Sequence, residues 1–188
     1  SSDLGITPTI FVMVNWLKQP GDQERQQGVA CITAEDFRWE RAHIKSTSLL
    51  GAVFARQMSY DVGAMETIMF RKGYLSEAAA SNVWVVRDGK VSGTPPDNLV
   101  LEGIRYGLIE ELCAQQQIVF ELRRITREEV FEADELLLSS ATKEILPVVQ
   151  LDGRPVGNGK PGAVYRRLFE AYQQAKASNA SVEAKGTP

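Results

Sequence analysis

Apolar residues in this chain come in short runs, residues 10–14 (Ile-Phe-Val-Met-Val) and 49–55 among the longest, and turn-forming or charged residues close each one. A membrane helix needs about 18 apolar residues in succession, so a spanning segment is excluded at the outset. The chain must therefore bury many short elements against one another, strands interleaved with amphipathic helices. With 188 residues, 44% hydrophobic and 24% charged, it has enough apolar material for one large or two small domains, and the composition excludes collagen, coiled coil and wholesale disorder. Lys+Arg number 21 against 24 Asp+Glu, for a formal charge of -3, so no global attraction to nucleic acid or anionic lipid is expected. Cys31 and Cys113 form no closely spaced motif and His43 stands alone, which argues against a metal cluster and for a reducing, cytoplasmic setting.

Residues 9–16 are rich in β-branched and aromatic side chains and predict a first strand, closed by the turn cluster Gln19-Pro20-Gly21-Asp22 and a polar loop through Gln27. Residues 28–33 predict a second strand that pairs with it as a hairpin. Residues 35–44 mix aromatic and basic side chains without a period, the pattern of an irregular, ligand-facing segment. Ser46, Thr47 and Ser48 offer caps for a helix over about residues 47–61, where Leu49, Leu50, Val53, Phe54 and Met58 recur at helical spacing. Strands are expected over 66–71 and 83–87, with Asp88-Gly89 turning the latter into a return at 90–92. A loop over 93–98 leads to residues 99–101 and then to a helix marked by Ile104, Leu108, Ile109 and Leu112, with Gly103 at its threshold. Beyond it come a strand over 118–122, a capping box at Thr126-Arg127-Glu128-Glu129 opening a short helix to Ala133, strands over 136–139 and 147–151, and a last helix from about 163 to 175. Residues 176–188 are small, polar and aperiodic and are expected to form a flexible tail.

Taken singly, the residues that could carry chemistry have plain explanations. Most lysines are solvated, but Lys45 follows an apolar residue, precedes three hydroxyl residues and adjoins a helix that must pack. Partial burial, or Arg38 and Arg41 as cationic neighbours, would ease the proton loss that an amine needs before it attacks a carbonyl. Glu77 lies in the small-residue run 74–82, where a flat ligand could approach the backbone, although alone it reads more simply as a surface acid in a loop. Gly103 opens a helix whose unpaired N–H groups suit an anion, as do those of every helix. The hydroxyls of Ser139-Ser140-Ala141-Thr142 either hold a phosphate or cap their own turn.

In order along the chain, Glu35-Asp36-Phe37-Arg38-Trp39 with His43-Ile44-Lys45-Ser46, Leu49-Leu50-Gly51-Ala52-Val53, Ser76-Glu77 with Ser81-Asn82-Val83, Leu101-Glu102-Gly103-Ile104, and Asp134-Glu135-Leu136 with Glu144-Ile145 and Pro147-Val148 form one set. That set resembles the class IV (fold-type IV) pyridoxal phosphate-dependent aminotransferases, and its wording is most like the D-amino acid (D-alanine) aminotransferases, over about residues 8–172. The resemblance implies an α/β (α+β) fold in which mixed sheets form a barrel-like core with flanking helices. It implies pyridoxal 5'-phosphate as cofactor, transamination between a D-amino acid such as D-alanine and a 2-oxo acid, and a homodimer, with neither nucleic acid nor membrane as partner. Branched-chain L-amino acid aminotransferase, aminodeoxychorismate lyase and a non-catalytic relative are alternatives on the same scaffold.

Carried over position by position, the resemblance makes Lys45 the lysine that holds the cofactor covalently and then moves the proton at the substrate Cα. Glu77 matches the carboxylate beside the pyridine nitrogen, and Leu101 the residue packed on one ring face. Gly103, Ile104 and Arg105 match the phosphate cup at a helix start, joined by the turn Ser140, Ala141 and Thr142. Arg38 and Ser81 match positions lining the pocket. This chain departs from the family at Arg105, where threonine is common, at Ala141, often a hydroxyl residue, and at Ala78, Ala79 and Ala80, which replace glycine and serines. Two side-chain hydroxyls for the phosphate are thus expected to be missing, with Arg105, Ser140 or Thr142 able to compensate. The expected organisation is a cofactor-binding domain over 1–175 and a tail over 176–188, with the family's small substrate-gripping domain expected upstream of the Ser1 start.

Overall fold

The computed structural model describes residues 9–17 and 19–183. In chain order the elements are α1 (Asp22–Gln27), β1 (Val29–Glu35), α2 (Leu50–Asp61), β2 (Glu66–Arg71), β3 (Tyr74–Ala78), β4 (Asn82–Arg87), β5 (Lys90–Gly93), α3 (Tyr106–Gln115), β6 (Phe120–Leu122), α4 (Arg127–Phe131), β7 (Glu135–Ser140), β8 (Glu144–Leu151), β9 (Arg154–Pro155) and α5 (Ala163–Glu183). The strands form one mixed sheet in the order β3-β2-β1-β8-β7-β4-β5-β6, with β9 added beside β8. The sheet curls so that side chains of β2 and β3 share one core with those of β4, β7 and β8, and a tight turn joins β3 to β4, where the Ala78 N–H donates to the Ser81 carbonyl at 2.8 Å.

Curling gives each strand an inner and an outer face, and the sequence alternates to match. Val83, Val85, Leu136, Leu138, Leu146 and Val148 point into the barrel with Ile68, Phe70 and Leu75. Trp84, Val86, Leu137 and Ile145 point outward and are covered by Ile109 and Leu112 of α3 and by Tyr165 and Leu168 of α5. The expected α/β barrel-like core with flanking helices is therefore present, built from a single sheet. Among the described residues no helix is long and apolar enough to cross a membrane.

Most predicted elements form where expected, including the Asp88-Gly89 hairpin and the Thr126 capping box, in which the Glu129 N–H donates to Thr126 Oγ1 and Thr126 N–H to Glu129 Oε2. Several do not. Residues 9–17 make no strand and no hairpin with β1, because β1 is already paired in parallel with β2 on one side and β8 on the other. The polar stretch read as a loop holds α1, where the Glu24 carboxylate accepts the Gly21 N–H and caps the first turn. The segment around Glu77, expected to be a loop, contains β3, reached by a turn at Lys72 and Gly73, both at positive φ. Helix α2 begins at Leu50 with no side-chain cap, and Ser46 Oγ instead accepts the Ser48 N–H. The expected tail from residue 176 continues α5 to Glu183, tied down by Lys176 to Glu144, while residues 184–188 lie outside the described residues.

Candidate active site

The barrel opens, where β1 leaves and β3, β4 and β7 meet, into a cleft of about 1360 Å³. Arg38 and Lys45 come to it from the irregular segment after β1, Glu77 and Ser81 from the β3–β4 connection, Leu101, Gly103, Ile104 and Arg105 from the approach to α3, and Ser140, Ala141 and Thr142 from the β7–β8 turn. Every site residue that the family resemblance assigns thus lines one cavity. The volume exceeds the few hundred Å³ that a single small ligand requires.

Glu77 stands at the centre of a buried charge chain. Arg38 Nη1 lies 2.5 Å from Glu77 Oε1, and the same guanidinium grips Asp36 through Nε–Oδ1 and Nη2–Oδ2 contacts of 2.9 Å each. Asp36, with a fully buried side chain, also meets Arg71 Nη2 at 3.3 Å, and that nitrogen donates to the Arg38 carbonyl at 2.8 Å. The second Glu77 oxygen accepts from Asn82 Nδ2 at 3.1 Å, and the Leu101 N–H reaches both oxygens at 3.3 Å. Burial pushes the Glu77 carboxyl above the ordinary glutamate value, and Arg38 and the Leu101 N–H offset this only in part. Burial acts on Asp36 in the same sense, but hydrogen bonds and charge from Arg38, with the charge of Arg71, outweigh it and hold its carboxyl below the usual range.

At the other end of the cleft the chain enters α3 through Gly103. A Cβ there would lie 2.2 Å from Asn82 Oδ1, so only glycine lets the backbone pass this close to the amide that braces Glu77. The first turn follows, with the Tyr106 N–H donating to the Gly103 carbonyl and Ile104 and Arg105 preceding any helical bond. Arg105, expected to substitute for a lost hydroxyl, also bonds to the neighbouring turn: its Nε donates to the Ser140 carbonyl at 2.6 Å and its Nη2 to the Ala141 carbonyl at 3.2 Å. Ser140 Oγ accepts the Lys143 N–H at 3.0 Å within its own turn, which leaves its O–H able to donate. Lys45 lines the cleft but is exposed, so the partial burial that would ease its proton loss is absent.

Five supporting residues carry no role that the sequence assigns: Asp36, Arg71, Asn82, Glu66 and Lys143. Glu66 is fully buried on β2, where its Oε1 accepts from Ser81 Oγ at 3.0 Å and meets Lys143 Nζ at 2.8 Å. Charged residues inside a strand that is otherwise buried, as in Glu66-Thr67-Ile68-Met69-Phe70-Arg71, are the available signal. Among the described residues no group of three or more His, Cys, Asp or Glu could hold a metal ion.

Comparison with known proteins agrees with this architecture. The profile of the family described as amino-transferase class IV matches residues 1–151. The chain is 34% identical over 171 residues to the D-alanine aminotransferase of Bacillus licheniformis, covering 91% of this chain and 60% of that protein. It is 36% identical over 173 residues to the D-alanine aminotransferase of Staphylococcus epidermidis, covering 90% and 61%. Among solved structures, a branched-chain amino acid aminotransferase of Escherichia coli superposes with a TM-score of 0.73 at 28% identity, over 82% of this chain and 53% of that one. The branched-chain amino acid aminotransferase of Thermoproteus uzoniensis with norvaline superposes with a TM-score of 0.74 at 25% identity, over 82% and 53%. The chain thus spans about 60% of the length of these curated relatives.

Proposed function

Since this chain belongs to the class IV aminotransferases, we propose that its cleft binds pyridoxal 5'-phosphate and serves transamination between a D-amino acid, such as D-alanine, and a 2-oxo acid. The observation that carries the proposal is the convergence of Lys45, the Glu77 charge chain and the start of α3 on one cavity. The residues present suit the cofactor. The buried Glu77 carboxylate would suit a ring nitrogen as its partner, and Gly103 makes a backbone passage that a Cβ would block. The N–H groups of Ile104 and Arg105, at the positive end of a helix, suit a phosphate. Bound there, the cofactor supplies an electrophilic carbon and an electron-withdrawing ring.

The chain's own groups do the remainder. The Lys45 amine would hold the cofactor and, once displaced by the substrate amine, would take the proton from the substrate Cα and return it at the cofactor carbon. Glu77, kept in place by Arg38, Asn82 and the Leu101 N–H, favours the protonated pyridine. Leu101, which lines the cleft, would stand against the ring, and the β7–β8 turn would border the phosphate. The two half-reactions share the site: one amino acid leaves as its 2-oxo acid before a second 2-oxo acid is aminated. We further read residues 1–175 as the cofactor-carrying portion of a cytoplasmic homodimer, with the exposed apolar rim of the cleft as part of the surface that a second domain or subunit covers.

Covalent capture tests the proposal. Borohydride added to the protein with pyridoxal 5'-phosphate is expected to fix one cofactor on Lys45, located by peptide mass spectrometry, and Lys45→Ala is expected to abolish the adduct. An adduct equally abundant in the variant rejects the lysine assignment. Assay with D- and L-amino acids then decides between D-amino acid and branched-chain substrates; faster turnover of L-leucine than of D-alanine rejects the substrate class proposed.

A further inference from the structure

The proposed phosphate end of the cleft has two halves from distant parts of the chain, the approach to α3 and the β7–β8 turn. Arg105 joins them. Its Nε and Nη2 donate to the consecutive carbonyls of Ser140 and Ala141 at 2.6 and 3.2 Å, and its guanidinium lies 4.9 Å from the ring centroid of Tyr172 on α5. A planar fork that bridges two successive carbonyls fixes both the distance and the tilt of the turn, which a single hydrogen bond or a point charge cannot do. In a trans peptide the N–H points opposite to the carbonyl. Drawing the Ser140 and Ala141 carbonyls toward Arg105 therefore turns the N–H groups of Ala141 and Thr142 away from it.

The turn is held on its other side too. The Lys143 N–H donates to Ser140 Oγ at 3.0 Å, and Lys143 Nζ reaches the buried Glu66 carboxylate at 2.8 Å, which also accepts from Ser81 Oγ. Both cations at this turn are thus bonded to protein acceptors. We infer that Arg105 is a positioning residue: it clamps the 140–142 turn to the start of α3 and sets the direction of the Ala141 and Thr142 N–H groups, and does not bind the anion through its own charge. This inference rests on the cofactor reading of the cleft given above.

Arg105→Lys and Arg105→Met, each compared with the unaltered protein by far-UV circular dichroism, separate the possibilities. The first measurement is backbone amide exchange at residues 140–143 with no ligand added. The second is affinity for pyridoxal 5'-phosphate at low and high salt. Lysine keeps the charge but lacks the fork, so both variants are expected to exchange the turn amides faster and to lose about tenfold in cofactor affinity, with the salt dependence unchanged. Affinity kept by Arg105→Lys but lost by Arg105→Met, with a weaker salt dependence in the latter, would make Arg105 a direct anion ligand and overturn the inference. Unchanged exchange in both variants would overturn it as well. If Arg105→Met fails to fold, Arg105→Gln, which can serve only one carbonyl well, takes its place under the same readings. If the unaltered protein takes up no cofactor, the reading of the cleft fails, while the exchange measurement still decides whether Arg105 holds the turn.

Discussion

At the scale of single residues, the site depends on atoms placed to within a bond length. Gly103→Ala would drive a methyl into Asn82 Oδ1, and Asn82 cannot yield freely because its Nδ2 serves Glu77 and the Leu101 carbonyl. The variant is expected to lose about 1–3 kcal/mol in urea denaturation, and cofactor uptake with it; unchanged stability and uptake would show that the passage is roomier than described. Asp36→Asn leaves Arg38 and Arg71 buried without their shared carboxylate, and breaking a buried ion pair in this way costs about 3–5 kcal/mol. A loss below about 1 kcal/mol would mean that the charge chain contributes little. Lys45, Glu77 and Gly103 were assigned roles from the sequence only through the ordered motifs around them, since each alone has a plain explanation. Asp36, Arg71 and Asn82 were not, since their partners lie on other strands and local spacing carries no trace of them.

Among the elements, the alternating runs of β4, β7 and β8 and the capped α4 could be read directly, because a two-residue period and a capping box are local. Strand β3 escaped because Ser76, Glu77 and Ala78 look like loop residues, and what makes them a strand is the ladder to β2. Residues 9–17 failed in the opposite way, strand-like in composition but without an edge to join at β1. The contact that ties α1, β8 and α5 together is Glu144, which Arg25 meets at 2.8 Å and Lys176 at 2.5 Å. Burial alone would raise its carboxyl, but Lys176, Arg25 and Gln173 outweigh that and hold it below the ordinary 4.5. The unfolded chain therefore binds this proton more readily, so the stability is present above pH 4.5 and is lost as the pH falls below it. Glu144→Gln is expected to lower the melting temperature near neutrality and to flatten the acid limb of a stability profile taken from about pH 3 to 7. An acid limb as steep as that of the unaltered protein would assign the effect to other carboxylates.

For the whole molecule, barrel closure brings together at one mouth segments that are far apart in sequence, and leaves around it an apolar rim. Trp39, Leu49, Leu50, Phe54 and Ile104 line the cleft and are at least half exposed. Apolar surface of this extent marks a place where something binds or docks. The 188-residue chain is expected to enhance the fluorescence of an apolar dye such as anilinonaphthalene sulfonate, and Leu50→Glu with Phe54→Glu to remove most of that signal without change in far-UV circular dichroism. Equal signal from both proteins would place the dye elsewhere. By itself, the sequence determined the class of fold and the residue types at the candidate site through its ordered family motifs, and placed local elements because periodicity, caps and turn residues act over a few positions. Only the tertiary structure decided that Arg105 grips the carbonyls of a distant turn, that Glu77 sits in a four-charge chain, and that residues 9–17 find no partner in the sheet. Each of these depends on which distant segment arrives alongside, and the curl of the sheet sets that.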